Sequence, residues 1–190
     1  MKNRCQWATQ SEIEQVYHDT VWGKPEYDDG KLFEMLILEG MQAGLSWITI
    51  LKKREAMKEA FDQFDYRVIA GYDDEKIEAL LQNEGIIRNR LKLRSLAINA
   101  QAFMRVQEEY GSFREYLWQF VNHQPVINHW QTAEEVPAST PLSDLISKDL
   151  KKKGFKFIGT TIVYAYMQAI GMVNDHTAQC YLYPESSSET

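Results

Sequence analysis

The sequence predicts an all-α fold, and three observations carry that prediction. Apolar residues recur three and four positions apart, most clearly at Leu93, Leu96, Ala97, Ala100, Phe103 and Met104, a spacing that strand alternation does not produce. Helix-start signals stand where several periodic stretches begin. No stretch makes a convincing strand, and no internal repeat is present.

Taken in order, Ile13, Val16 and Tyr17 mark a first short helix, and Leu32 to Gln42 a second. A third segment lies around Met57, Ala60, Phe61 and Phe64, and a fourth around Ile77, Leu80 and Leu81. The Leu93 stripe follows. Ser112 with Glu115 has a capping-box pattern, and Thr140 before Pro141 places a cap ahead of a proline at the first helical position. A helix bearing Leu142, Leu145 and Ile146 should stop at Gly154, a natural left-handed terminator, and Gly159 with Thr160 and Thr161 can open the next. Residues 123–139, with Pro125 and Pro137, read as a long connection that leaves room for two helical lobes. One domain is expected over residues 1–184, with 185–190 a disordered tail.

A composition of 44% hydrophobic and 25% charged residues is that of an ordinary soluble globular chain. No apolar run approaches a membrane span, and "MKNRCQWATQ" lacks the apolar core of a signal peptide, so a cytoplasmic location without membrane contact is expected. The net charge of -6 argues weakly against nucleic-acid binding. Against that, basic residues bunch in "KKR" at 52–54, "RNRLKLR" at 88–94 and "KKK" at 151–153, although any one of them taken alone reads as a solvated helix face.

Four features bear on chemistry. In "KLFEMLILEG", residues 31–40, Glu39 shares a helical face with Leu36, Met35 and Leu32, so the acid points inward. A buried unpaired carboxylate costs several kcal/mol, and such a group is paired, protonated or waiting for a ligand. Second, Cys5 and His18 stand near one end of the chain, and His176 and Cys180, one helical turn apart, near the other. They are either unrelated core residues or a four-coordinate structural zinc site that clasps the two ends together. Third, Trp7, Tyr17, Trp22 and Trp47 share the N-terminal quarter with Glu39, and "QAGLSW" after it reads as a loop. An aromatic pocket with one carboxylate suits a flat cationic heterocycle, although core packing accounts for most such rings. Fourth, Lys151, Lys152, Lys153 and Lys156 flank the Gly154–Gly159 turn, which is either an ordinary helical hairpin or a phosphate site at an open helix N-terminus.

"CQW", "YHDTVWGKP", "KLFEMLILEGMQAGLSWITILKKRE", "GIIRNRLK", "FVNHQP", "KKKGFKFIGTTIVYAYMQAIGMVNDH" and the late Cys180 together resemble the bacterial 3-methyladenine DNA glycosylase I family, from about residue 3 to 184. The resemblance implies the helix-hairpin-helix glycosylase architecture and a monofunctional repair enzyme that hydrolyses the N-glycosidic bond of 3-methyladenine in alkylated double-stranded DNA. It implies one structural Zn2+ on Cys5, His18, His176 and Cys180. Glu39, Tyr17 and Trp47 match the family's base-pocket residues, with Trp7 and Trp22 beside them, and Glu39 and Tyr17 are assigned the catalytic roles. Residues 150–171 match the DNA-binding hairpin. Its expected contacts are Lys153, Gly154, Lys156, Gly159, Thr160 and Thr161, while Gln42, Gly44 and Leu45 are expected in the gap that the flipped base leaves.

An ionised Glu39 would favour the charged, damaged base over neutral adenine, and a damaged base is easier to flip. Wider relatives carry a catalytic aspartate after the second hairpin helix, where this chain has Asn174 and Asp175; next to a zinc ligand, Asp175 is expected to face away from substrate. A monomer is expected. The rival readings are a zinc-stabilised DNA-binding module without activity and a zinc-dependent hydrolase.

Overall fold

The structure, a computed structural model, describes residues 1–185, so all but the first residue of the expected disordered tail lies outside the described residues. Among the described residues there are nine α-helices: α1 (Glu12–Thr20), α2 (Asp29–Gln42), α3 (Trp47–Ala60), α4 (Tyr66–Ile69), α5 (Asp74–Leu81), α6 (Arg90–Tyr110), α7 (Phe113–Trp118), α8 (Pro141–Lys152) and α9 (Thr160–Ala169). None of them is long and apolar enough to cross a membrane.

Helix α2 is the axis of the fold. Leu32, Phe33, Met35, Leu36, Ile37, Leu38, Glu39 and Met41 are all buried, which is most of its circumference. A helix apolar nearly all round belongs in the interior, so the single inward face read from the sequence understates how deeply α2 sits. Both ends are fixed by polar groups. At the start, Asp29 accepts from the backbone N–H groups of Phe113 and Arg114, each at 2.9 Å, which satisfies the first donors of α7. At the end, Lys92 Nζ donates to the carbonyls of Met41 (2.8 Å) and Ala43 (2.6 Å). Around this axis the buried apolar side chains form one cluster, running from Cys5 to Cys180.

The capping signals operate as their chemistry dictates. Thr140 and Ser143 form a reciprocal capping box ahead of Pro141. Ser112 accepts from the Glu115 N–H. Gly154 adopts φ +95° just after α8, and Gly159 stands at the start of α9. Trp47, expected in a loop, is instead the first residue of α3, the loop being only residues 43–46. Leu145 and Val16, expected on apolar faces, are exposed.

Two expectations are corrected. Val126–Ile127 and Val173–Asn174 form a small parallel β pair, β1 and β2, where no strand was expected. Two-residue strands carry no readable alternation, and their partners lie 47 residues apart in sequence. The second concerns residues 123–139, expected as a plain long connection, which carry β1 and a short 3-10 turn at Ala133–Glu135. This segment pairs with the C-terminal strand and brings Ala133 and Val136 into the wall of the main cavity.

Candidate functional site

A cavity of about 550 Å³ opens between the N-terminal segment, α2, α9 and the C-terminal segment. Tyr17 on α1, Glu39 and Gln42 on α2 and Trp47 on α3 all line it, together with Trp7 and Trp22. Each of the five residues expected in a base pocket therefore contributes to one wall. The rings interlock: Tyr17 lies 5.4 Å from Trp47 and 6.2 Å from Trp7, and Trp7 lies 5.1 Å from Trp22 with an edge-on tilt of 69°. Such contacts hold ring orientation as well as burying area.

Glu39 is only 3% exposed, and its Oε2 is a buried side-chain oxygen without a hydrogen-bond partner. Desolvation raises its pKa to about 8, because no fixed cation or donor offsets the cost of charge there. Burial therefore favours the neutral acid near neutral pH, whereas an ionised group was expected. Burial also pushes the Tyr17 phenol well above its ordinary value, and the neighbouring Glu39 adds to the shift. Tyr17 stays protonated, with its hydroxyl 3.8 Å from Met35 Sδ.

Asp175 departs from expectation. It is buried and lines the same cavity. Its Oδ1 accepts from Asn128 Nδ2 (2.8 Å) and Trp130 Nε1 (2.9 Å), and its Oδ2 from Gln168 Nε2 (2.9 Å) and the Tyr164 hydroxyl. The next residue, His176, belongs instead to the cluster with Cys5, His18 and Cys180. Four donors saturate the carboxylate, so it is a fixed node between the 126–130 segment and α9.

Cys5, His18, His176 and Cys180 converge beneath the aromatic wall, all buried, with their ligand atoms within 4.8 Å of one another. Cys180 Sγ is 3.4 Å from His18 Nε2 and 3.5 Å from His176 Nδ1, and Cys5 Sγ is 3.5 Å from His176 Nδ1. A tetrahedron with metal–sulfur bonds of about 2.3 Å and metal–nitrogen bonds of about 2.0 Å has S···N edges of about 3.5 Å, so the donors stand where one ion would hold them. The outer groups agree. His18 Nδ1 meets Asp19 Oδ1 at 2.9 Å, and Arg4 grips that carboxylate through Nε and Nη2. A carboxylate behind a ligating imidazole fixes its tautomer and orientation.

The expected DNA-contact residues fall into two groups. Leu45 is 41% exposed and Gly44 has φ +77°, so the loop after α2 projects from the surface beside the cavity residue Gln42. The α8–α9 turn forms the other. Gly159 offers no side chain to cap α9, and a Cβ built on it would meet nothing within 4 Å, so the helix start is open. Thr160 Oγ1 is engaged by Ser143 Oγ at 2.7 Å, whereas Lys156 and Thr161 are exposed. Lys153 turns away: its Nζ lies 3.3 Å from Glu109 Oε2 and over the rings of Tyr110 and Tyr116. Sequence reading missed Lys92, Asn99, Gln168 and Thr177, which carry no pattern of their own and matter only through tertiary neighbours.

The profile of a family described as methyladenine glycosylase matches residues 7–183. The chain is 50% identical to DNA-3-methyladenine glycosylase 1 of Escherichia coli (strain K12) over 181 residues, 95% of this chain and 97% of that one. A crystal structure of 3-methyladenine DNA glycosylase I is similar at TM-score 0.92 and 50% identity, covering 96% of this chain and 100% of that chain. A variant of 3-methyladenine DNA glycosylase I, solved in complex with 3-methyladenine, is similar at TM-score 0.93 and 37% identity, covering 96% of this chain and 98% of the other.

Proposed function

The chain belongs to the methyladenine glycosylase family, and from that premise we propose that it excises 3-methyladenine from alkylated DNA by hydrolysing the N-glycosidic bond, in base excision repair. The observation that carries the reading is a buried acid with an unpartnered oxygen inside an aromatic cavity.

N3-methylation places a positive charge on the base. Trp47 stacks on the flipped ring, and Glu39 meets its exocyclic amine. The cation stabilises the carboxylate, so the neutral acid releases its proton to solvent as the damaged base enters. Neutral adenine brings no such charge, and it meets an acid that burial keeps protonated. Glu39 thus works chiefly by selection and capture. Water adds to the anomeric carbon as the C–N bond breaks; the bonding pair returns to the base and neutralises it, and the added water loses its extra proton to solvent, leaving a sugar hydroxyl. An attraction that fades as the bond breaks secures the substrate more than it lowers the barrier of that step. Methylation already makes the base a good leaving group. Tyr17 supports the ring edge, while Trp7 and Trp22 form the wall behind it.

The α8–α9 turn fits the helix-hairpin-helix role through the amides of Gly159, Thr160 and Thr161 at the open start of α9, which face a phosphate with Lys156 beside them, whereas the amides of Gly154, Phe155 and Lys156 are taken by Lys151 O, Leu150 O and Asn99 Oδ1. Gln42, Gly44 and Leu45 fill the gap in the duplex. Cys5, His18, His176 and Cys180 hold one Zn2+; two thiolates and two imidazoles leave no position for water, so the ion ties the chain ends together and takes no part in the chemistry. Residues 1–184 act as one domain around the continuous core. No observation favours an inactive binding module, and the named relatives are glycosylases.

The test is incubation with methylated duplex DNA, with released bases identified by mass spectrometry and Glu39→Gln run in parallel. Free 3-methyladenine from the parent protein and far less from the variant is expected. A folded protein that binds duplex but releases no base would refute the reading.

A further inference from the structure

Two polar residues on one face of α6 each hold one of the surface features just assigned to the duplex. Lys92 is 5% exposed, and its Nζ bonds only the carbonyls of Met41 and Ala43 at the end of α2, the residues that flank Gln42 and open the loop bearing Leu45. Asn99, seven residues on, grips the α8–α9 turn with both ends of its amide: Nδ2 donates to the Lys156 carbonyl (3.1 Å) and Oδ1 accepts from the Lys156 N–H (2.7 Å). Seven residues are two helical turns, about 10 Å along the axis. Between the two anchors Gly40 faces Phe157, and a Cβ there would stand 3.4 Å from Phe157 Cβ. Phe157 itself has φ +55°, a conformation costly for a bulky residue and held by its surroundings. A buried ammonium is a costly way to cap a helix. Nonetheless it reaches two carbonyls at once and fixes a loop that an apolar residue would leave free.

We propose that Lys92 and Asn99 are positioning residues that set the spacing between the duplex-filling loop and the phosphate-binding turn, so that the base extruded by one arrives in the pocket while the backbone is held by the other. The proposal rests on reading both features as duplex contacts. It separates them from the pocket: neither residue lines the base cavity. Loss of either anchor lets loop and turn move independently, which harms extrusion from duplex and leaves capture of a free base intact.

The experiment compares Lys92→Met and Asn99→Leu with the parent protein in three readouts: single-turnover excision from methylated duplex, affinity for free 3-methyladenine by tryptophan fluorescence, and melting temperature. Each variant is expected to lose about tenfold or more in duplex excision with free-base affinity within about twofold. Because both act on one spacing, the double variant should lose less than the product of the two single losses. Lys92→Arg and Asn99→Asp, which keep part of each bond set, guard against unfolding and should recover part of the rate. Parent-like excision with only a lower melting temperature would overturn the proposal, as would a parallel loss of free-base affinity. Leu45→Gly and Lys156→Ala distinguish the two levels of failure. If they too leave duplex excision unchanged, the duplex-face reading has failed and the proposal falls with it; if they impair it while the α6 variants do not, only the spacing role is wrong.

Discussion

His18 is held from both ring nitrogens: its Nδ1 meets Asp19 Oδ1 at 2.9 Å while its Nε2 faces Cys180 Sγ at 3.4 Å. One ring thus joins a half-buried ion pair, Asp19 with Arg4, to the cluster in which the two ends of the chain meet. Asp19→Asn should lower metal affinity about 10–100-fold without removing a ligand. His176→Ala should reduce bound zinc and melting temperature together. Metal analysis alongside calorimetry tests both, and full stability of a metal-free protein would end the clasp hypothesis.

Glu39 predicts a pH signature. Its folded pKa of about 8 lies above the ordinary value of 4.5, so between those values the folded state keeps a proton that the unfolded chain has lost. Stability is therefore greatest at the acid end of this window, falls as pH rises through it, and levels off above about pH 8. At about 1.4 kcal/mol per pH unit the loss reaches a few kcal/mol. Glu39→Gln should flatten that slope. Denaturant melts at pH 5, 7 and 9 would show it, and equal slopes for the two proteins would mean that the acid is not held neutral.

Trp47 should contribute stacking and little else. Trp47→Ala is expected to lower kcat/KM by about 10–100-fold, in line with about 1–3 kcal/mol for a base stacked on an aromatic ring. Trp47→Phe should retain most of the activity. Equal losses in both variants, measured on methylated duplex, would place the indole in packing against Tyr17 instead.

Phosphate contact by the α8–α9 turn implies counterion release. Affinity for undamaged duplex should fall steeply with added salt, and Lys156→Ala should reduce the slope by about one. Lys153→Ala should change it little, because Glu109 already engages that ammonium. Fluorescence titration at several salt concentrations measures this, and a flat response would remove the turn from the interface.

Gly171 is predicted to tolerate no side chain. It has φ +71°, and a Cβ there would overlap the backbone of Lys24 and Pro25. Gly171→Ala should destabilise by about 3 kcal/mol or more, readable as a shift in denaturant midpoint.

By itself the sequence determined most of the helices, with a stop at Gly154 and starts at Thr140 and Gly159, because capping and periodicity act over a few residues; it missed α4 and the start of α3 at Trp47. It also marked Glu39 as an inward acid, and Cys5, His18, His176 and Cys180 as possible ligands, because unusual residue types stand out locally. The tertiary structure alone decided what surrounds them. That burial pushes Glu39 towards its neutral form follows from desolvation in the assembled interior, which no spacing records. The small β pair, the inward turn of Asp175, the turning away of Lys153 and the two anchors on α6 arise likewise from contacts between residues far apart in sequence, such as Asn128 with Asp175, Glu109 with Lys153 and Asn99 with Lys156. Local patterns choose an element, but only packing decides which way a side chain faces and what it meets there.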